Sequence, residues 1–410
     1  MAGKVYILGG SQSDFARNWA REENSLLDIF AETLNAGLEA TQLEYRDLET
    51  GHVGNFTGEL FNGQGILGGF FPMVDDELAG LPTSRHEAAC ASGSIALLAA
   101  AAEIEAGRYD LACVLGLEQM RNVPGDVAAK YLGAATWAGE ECIDVRFPWP
   151  HMFGKLGDEY DNRFGLKHEH LAAIARLNFD NAKANPNAQT RSWQFSDANF
   201  AEDDSANPVI DGRIRKHDCG QVTDGAAVVF LASEDRARAY AQARDIRIGD
   251  LPYIRGWGHR TAPIEYERKI RDSRDEAYVF PHLRGTITDA FKRAGLPGIE
   301  QIDLVETHDC FTTTEYMAID HLGITPPGQS WQAIEEGRIA RDGDIPINPS
   351  GGLIGCGHPV GATGVRMVLD GWKQLTGRAG AYQIGGAERV QTLNVGGSGT
   401  TVVSFILERG

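Results

Sequence analysis

Cysteine is scarce in this chain: six in 410 residues, at positions 90, 113, 142, 219, 310 and 356, with no Cys-x-x-Cys pair. The spacing argues against a zinc site and a disulfide framework and leaves these residues as thiols. Basic charge is short too. Lys and Arg number 38 against 57 Asp and Glu, a net charge of −19, which excludes broad attraction to nucleic acid or anionic membrane. No apolar run approaches the ~20 residues of a membrane span; the best, Ile95–Ala102, is short, Ala-rich and reads as a buried helix. The opening Met1–Gly10 has one Lys and then Val5-Tyr6-Ile7-Leu8 instead of a charged leader, and the closing Leu407-Glu408-Arg409-Gly410 is no Ser-Lys-Leu signal, so the expected compartment is the cytoplasm. What is present is ordinary globular composition, 42% hydrophobic, 23% charged and 9% aromatic. At roughly 150 residues per unit, two or three compact units are expected.

The patterning is α/β. Residues 4–9 read as a strand, and Leu27, Phe30, Ala31, Leu34 and Leu38 recur at helical spacing, with Ser25 placed to cap the helix and Gly37 near its end. Ala91–Ala106 reads as a helix closed by Gly107, and Leu111–Gly116 as a strand covered on both faces. From 121 to 207 the character changes to loops with Trp137, Trp149 and Trp193 around one amphipathic helix (Leu171, Ile174, Ala175, Asn178), an inserted lid. Its bases Lys155, Arg163, Lys167, Lys183 and Arg191 are either a phosphate patch or a solvated face. Thr223–Leu231 is a turn feeding a buried strand.

A faint repeat follows. Ala36-Gly37-Leu38 recurs as Ala294-Gly295-Leu296, each after a helix and before an expected strand, near Arg46–Glu49 and at Ile302–Glu306. In each half a glycine-containing turn then opens an apolar helix, Cys90–Ala106 and Gly361–Leu375, and Thr400–Leu407 completes the second sheet. The expected organisation is a first half at 1–120 plus 208–245, an inserted lid at 121–207 and a second half at 246–410.

Three segments, each after an expected strand, carry candidate chemistry. The first is Ala88-Ala89-Cys90-Ala91-Ser92-Gly93-Ser94, where a thiol before a helix start sees the positive end of the dipole, an arrangement expected to lower its pKa. The second, His308-Asp309-Cys310-Phe311, leaves a sheet with an imidazole and a thiol two residues apart. The third is Gly351–Gly364, where Pro359 fixes the turn that aims His358; it has neither the Walker lysine nor the G-x-G-x-x-G fingerprint. Taken singly, each also reads as packed core. Together they offer a nucleophile, a base and a second acid/base: Cys90, His358 and Cys310.

That set resembles the thiolases over essentially the whole chain, through the segment around Cys90, Gly357-His358-Pro359-Val360-Gly361-Ala362-Thr363-Gly364, Asp224-Gly225-Ala226-Ala227 and the lid's His151-Met152. His308-Asp309-Cys310-Phe311 resembles the motif of the sterol-carrier-protein-type branch. Most thiolases carry a second catalytic Cys in a Cys-x-Gly near the C-terminus. This chain reads Asn394-Val395-Gly396-Gly397 there, so the branch resemblance places that role on Cys310, with Cys356 a lesser rival.

The resemblance implies a five-layered αβαβα core of two βαβαβαββ halves and a bacterial acetyl-CoA acetyltransferase-like activity in lipid metabolism. Cys90 would form an acyl-enzyme, His308 and His358 would serve an enolate oxygen, and the backbone N–H groups of Cys90 and Gly396 an oxyanion. It implies coenzyme A as substrate, no tightly held cofactor or metal, lid contacts to CoA from His151 and Met152, and a homodimer or homotetramer. Thr261-Ala262-Pro263 is a remnant of the family's Ser-x-Phe-Ala-Pro pantetheine loop. The competing readings are a ketoacyl-synthase-type condensing enzyme, against which Pro359 counts; a thiolase-like carbon–carbon lyase with an accessory protein, against which Cys90 counts; and a non-catalytic lipid binder.

Overall fold

The computed structural model describes residues 3–410. Its strands in chain order are β1 Val5–Gln12, β2 Thr50–Gly54, β3 Thr83–His86, β4 Leu111–Glu118, β5 Val209–Asp211, β6 Ile214–Arg215, β7 Gly225–Ala232, β8 Pro252–Thr261, β9 Leu304–Thr307, β10 Arg389–Gly396 and β11 Thr401–Arg409. The helices that build the core and the site are α1 Leu26–Thr41, α2 Ser92–Glu105, α3 Pro148–Phe164, α4 His168–Ala182, α5 Tyr266–Asp272, α6 Pro281–Ala294, α7 Thr312–Leu322 and α8 Thr363–Leu375. Among the described residues no helix is long and apolar enough to cross a membrane.

The strand order β3-β2-β4-β7-β1-β8-β11-β10-β9 contains the expected repeat. In each half the first strand (β1 or β8) runs parallel to the later ones and is separated from them by one antiparallel strand (β7 or β11). The two halves are continuous, because β1 and β8 pair antiparallel at Val5–Ile254 and Tyr6–Tyr253. Alternation along the strands sets the layers. Val228 and Phe230 face outward to Phe30 and Leu34 of α1, while Ala227, Val229 and Leu231 face inward to the paired helices α2 and α8. On the other side Val403 and Phe405 face those same helices, and Val402 and Ile406 face Leu283 and Ile287 of α6. The order is therefore helix, sheet, helix pair, sheet, helix.

Two local expectations shift. Ser25 caps α1 in a reciprocal box with Asp28 (Ser25 N to Asp28 Oδ2 2.7 Å), but the helix runs past Gly37 to Thr41. Gly37 is there because a Cβ would overlap Val228 of the sheet. The strand expected near Arg46–Glu49 is a short turn of helix at Tyr45–Asp47, and β2 begins at Thr50. The lid places α3 and α4 over the second half, and the β5–β6 hairpin packs Ile214 among Met152, Phe153 and Leu156 of α3. The chain rejoins the sheet at Gly225.

One crossing matters most for function. The first turns of α2 and α8 touch: a Cβ on Gly93 would stand 2.7 Å from Gly361 O, and one on Gly364 would overlap the Ser94 backbone nitrogen and hydroxyl. Only hydrogen fits at these two positions, so the turn before each helix, one carrying Cys90 and the other His358, opens into the same space.

Candidate active site

That space is a cavity of about 340 Å³ whose lining includes Cys90, His308, Cys310, His358 and Gly397. Phe56, Met120, Leu132, Phe147, Phe153 and Val360 make most of the remaining wall apolar. The Cys90 sulfur and one ring nitrogen each of His308 and His358 lie within 4.8 Å of one another, and the two imidazoles meet edge to face at 5.2 Å.

Cys90 sits on a strained turn. Ala89 has φ +50°, a left-handed conformation that a residue with a Cβ adopts at a cost of order 1–3 kcal/mol. Glu87 accepts the Ala89 N–H at 2.7 Å, and the Ser92 hydroxyl donates to Ala89 O at 2.6 Å while accepting the Ala88 N–H at 2.9 Å. Burial pushes the thiol up to about 12, with the Glu118 carboxylate adding to the rise and the N–H groups of Cys90 and Gly397 opposing it. The direction is opposite to the lowering expected from a thiol before a helix start, because burial and the Glu118 charge raise the pKa more than the two N–H groups lower it.

The two imidazoles carry opposite tautomers, each set by a hydroxyl or amide behind it. We assign the Thr363 hydroxyl proton to Pro359 O at 3.1 Å, which leaves Thr363 Oγ1 to accept from His358 Nδ1–H at 2.7 Å. His358 Nε2 then keeps its lone pair, and that atom is buried without a partner. His358 is aimed by its own backbone N–H, which donates to Thr223 Oγ1 at 2.9 Å. Around His308 the logic reverses. Asn394 Oδ1 accepts from Ser94 at 2.8 Å, so its Nδ2 donates to His308 Nδ1 at 3.1 Å, and the proton of His308 is on Nε2. His358 is thus an acceptor and His308 a donor. Burial, aided by the Arg366 charge, pushes His358 down to about 3; burial, then the His358 and Arg366 charges, hold His308 well below its usual value. Both rings are neutral near pH 7.

Cys310 is 7% exposed, with Sγ 3.9 Å from Thr314 Oγ1. Burial holds its thiol well above the usual range, and the Cys90 charge adds to that, as expected for sulfurs sharing one cavity. Between His308 and Cys310, Asp309 turns away and accepts from Leu353 N at 2.6 Å, Ile354 N at 3.1 Å and Asn178 Nδ2 at 3.0 Å. It thereby ties the loop of His308 and Cys310 to the loop that leads to His358. Glu118, at the end of β4, accepts from the N–H groups of Phe56, Thr57 and Gly361 and fixes the His358 loop from the other side.

Several expected positions fall elsewhere. Gly396 does not line the cavity: it ends β10 in register with Thr401, and the next residue, Gly397, presents its N–H to Cys90. Met152 is buried in the core, and His151 pairs with Asp211 at 2.9 Å; it is Pro148, Trp149, Pro150 and Phe153 of α3 that reach the cavity. Cys356 is buried outside the cavity beside Asn185 (Nδ2 to Sγ 3.6 Å). The lid bases form no patch: Lys155 pairs with Glu267, Arg163 with Glu159, Lys167 with Glu169, Lys183 with Asp180 and Arg191 with Asp14. Ser94, Glu118, Thr223, Thr363 and Asn394 were missed as functional supports, and only their clustering in the fold identifies them.

Two triads of metal-capable donors occur among the described residues, Cys90–His308–His358 and Glu169–His170–Glu335. In the first, Asn394 occupies His308 Nδ1 and leaves Nε2–H on the cavity side, a tautomer that donates instead of ligating.

The model of the thiolase N-terminal domain matches residues 5–197, and that of the thiolase C-terminal domain-like region matches residues 266–409. The chain belongs to the thiolase family. Among its relatives is an acetyl-CoA acetyltransferase of Methanothermobacter thermautotrophicus, 32% identical with 99% of both chains covered. Another is human sterol carrier protein 2, 28% identical over 98% of this chain and 71% of that protein. The fold is that of solved thiolases: human mitochondrial 3-ketoacyl-CoA thiolase in complex with CoA superposes with a TM-score of 0.71 at 16% identity, covering 100% of this chain and 98% of that one. The Ltp2-ChsH2(DUF35) aldolase shares the fold as well, with a TM-score of 0.78 at 19% identity over 99% and 98% of the two chains. In this thiolase the conjunction of two thiols and two complementary imidazoles is built by both halves, β4 and α2 from the first and β9, β10 and α8 from the second.

Proposed function

We propose that the chain is an acyltransferase, a coenzyme A-dependent thiolase that works through a Cys90 acyl-enzyme. The observation that carries this reading is the convergence of Cys90, Cys310, His308 and His358 on one apolar cavity with their tautomers already assigned. In cleavage, His358 Nε2 takes the Cys90 proton as sulfur attacks C3 of a 3-oxoacyl-CoA. The oxyanion receives the N–H groups of Cys90 and Gly397. The C2–C3 bond breaks, His308 Nε2–H holds the enolate oxygen, and Cys310 protonates C2 to release acetyl-CoA. Cys310 then takes the thiol proton of incoming CoA, whose sulfur attacks the acyl group; Cys90 leaves as thiolate and recovers its proton from His358. The reverse order is a Claisen condensation.

A cavity of about 340 Å³ is at the small end of ligand pockets and over ten times the ~30 Å³ share of one water, so it suits an apolar acyl group longer than acetyl. We assign the chain's division as above, with 208–224 moved to the lid because the β5–β6 hairpin packs on α3. The free edge of β3, exposed at Thr83 and Ser84, is the surface we assign to homodimer pairing.

The test is a panel of 3-oxoacyl-CoA thioesters with free CoA, together with mass spectrometry of the acylated chain. One acyl group per chain on Cys90 is expected. Cys90→Ala should abolish both labelling and turnover, whereas Cys310→Ala should keep labelling by acetyl-CoA, which breaks no carbon–carbon bond, and lose turnover. Full turnover by Cys90→Ala overturns the assignment.

A further inference from the structure

Lysine is almost never fully buried without a charged partner. Lys269 of α5 is 4% exposed, yet its ammonium meets two hydroxyls and a carbonyl instead of a carboxylate: Ser398 Oγ at 2.6 Å, Thr400 Oγ1 at 3.1 Å and Ile264 O at 3.4 Å. Its three N–H donors are thus all used, which suits the cation. Two of the acceptors belong to the turn that joins β10 to β11 and begins with Gly397, the residue whose N–H faces Cys90. The same turn is held from a second direction by His282 of α6, whose Nε2 donates to Gly399 O at 2.7 Å. Nothing in the reaction as derived uses either residue.

We propose that Lys269 is a positioning residue for acyl transfer, gripping the 396–400 turn from behind so that the Gly397 N–H stays aimed at the oxyanion formed on Cys90. The proposal rests on the acyl-enzyme reading above and adds a device to it. The physical requirement is rigidity: an oxyanion donor contributes only if it is already in place when charge develops. Keeping a charge in a dry site is costly, and that cost is met here by three hydrogen bonds, two of them directed at one turn and the third at Ile264 O. Glu141 and His282 are the titratable groups that face Lys269 from neighbouring segments. Burial pushes the lysine down to about 7, against a partial counter-pull from Glu141, while burial pushes His282 down to about 4, so the lysine loses its proton as pH rises through about 7, where the histidine is already neutral.

The experiment compares wild type with Lys269→Met in two reactions of Cys90: acylation by acetyl-CoA, which forms an oxyanion, and alkylation by iodoacetamide at pH 9, which does not. At pH 6 the variant is expected to acylate about 10²-fold more slowly, the usual cost of a lost oxyanion donor, while its alkylation at pH 9 falls far less, because there the Gly397 N–H only supports the resting thiolate. The wild-type to variant ratio should shrink as pH rises through 7, because the wild-type lysine then loses the charge and one donor. Unchanged acylation at pH 6, a ratio independent of pH, or an equal loss of alkylation overturns the proposal. If Lys269→Met does not fold, Ser398→Ala decides: acylation slowed much more than alkylation supports the grip, and an unchanged acylation rate refutes it. Failure of wild type itself to acylate Cys90 would instead overturn the acyl-enzyme reading.

Discussion

Asn394→Asp is a nearly isosteric change that reverses one proton. In the native site the Asn394 amide donates to His308 Nδ1 at 3.1 Å because its oxygen is occupied by the Ser94 hydroxyl at 2.8 Å. A carboxylate there can only accept, so the neutral ring must move its proton to Nδ1 and turn a lone pair toward the cavity. The enolate oxygen then meets a lone pair where it needs a donor. Loss of one such donor typically costs about 10² to 10³ in rate, so thiolysis kcat at pH 8 should fall by that factor. Acylation of Cys90 by acetyl-CoA forms no enolate and should be spared. The new carboxylate also favours the imidazolium, whose two nitrogens both donate, so the deficit should shrink as pH falls. Stopped-flow thiolysis beside mass-spectrometric acylation, from pH 5.5 to 8.5, reads both. Full thiolysis at pH 8, or an equal deficit in the two reactions at every pH, would refute the tautomer assignment.

Two further outcomes follow from burial and packing. With the Cys90 thiol pushed up to about 12, iodoacetamide alkylation of Cys90 in the free enzyme should be slow at pH 7 and rise about tenfold per pH unit without a plateau up to pH 10; a plateau near pH 8.5, where an unperturbed cysteine titrates, would show that the helix dipole prevails. Gly364→Ala would press a methyl into Ser94 at the crossing of α2 and α8. Overpacking of this kind costs about 1–3 kcal/mol, so Tm should drop together with activity, and a variant at least as thermostable as wild type would show that the crossing is not tight.

Much of this was readable in the chain. The alternation of apolar runs and glycine-punctuated helices, repeated from 36–106 to 294–375, specified two similar halves because sheet and helix periodicities are local properties. His358 and Cys310 were equally legible, since Pro359 and the residues around Cys310 lie within a few positions of the group they aim. The misses have a different character. A glycine run such as 396–399 does not reveal which N–H turns inward until β10 pairs with β11, and it is Gly397, not Gly396, that lines the cavity. His151 and Met152 were placed at the ligand because a helix turn does not reveal which of its faces is buried. The lid bases stay open between a phosphate patch and a solvated face in the sequence, because two of their acidic partners, Asp14 and Glu267, are distant in it.

The sequence by itself determined which atoms can react, two sulfurs and two imidazoles, since that choice is written in residue type and near neighbours. Only the tertiary structure decided the protonation in which they wait. Ser94 and Asn394, 300 positions apart, set one tautomer; Thr363 sets the other; and burial by both halves pushes the Cys90 thiol up and the His358 ring down. Desolvation and long-range hydrogen bonds belong to no single segment, so they exist only once the two halves have closed on each other.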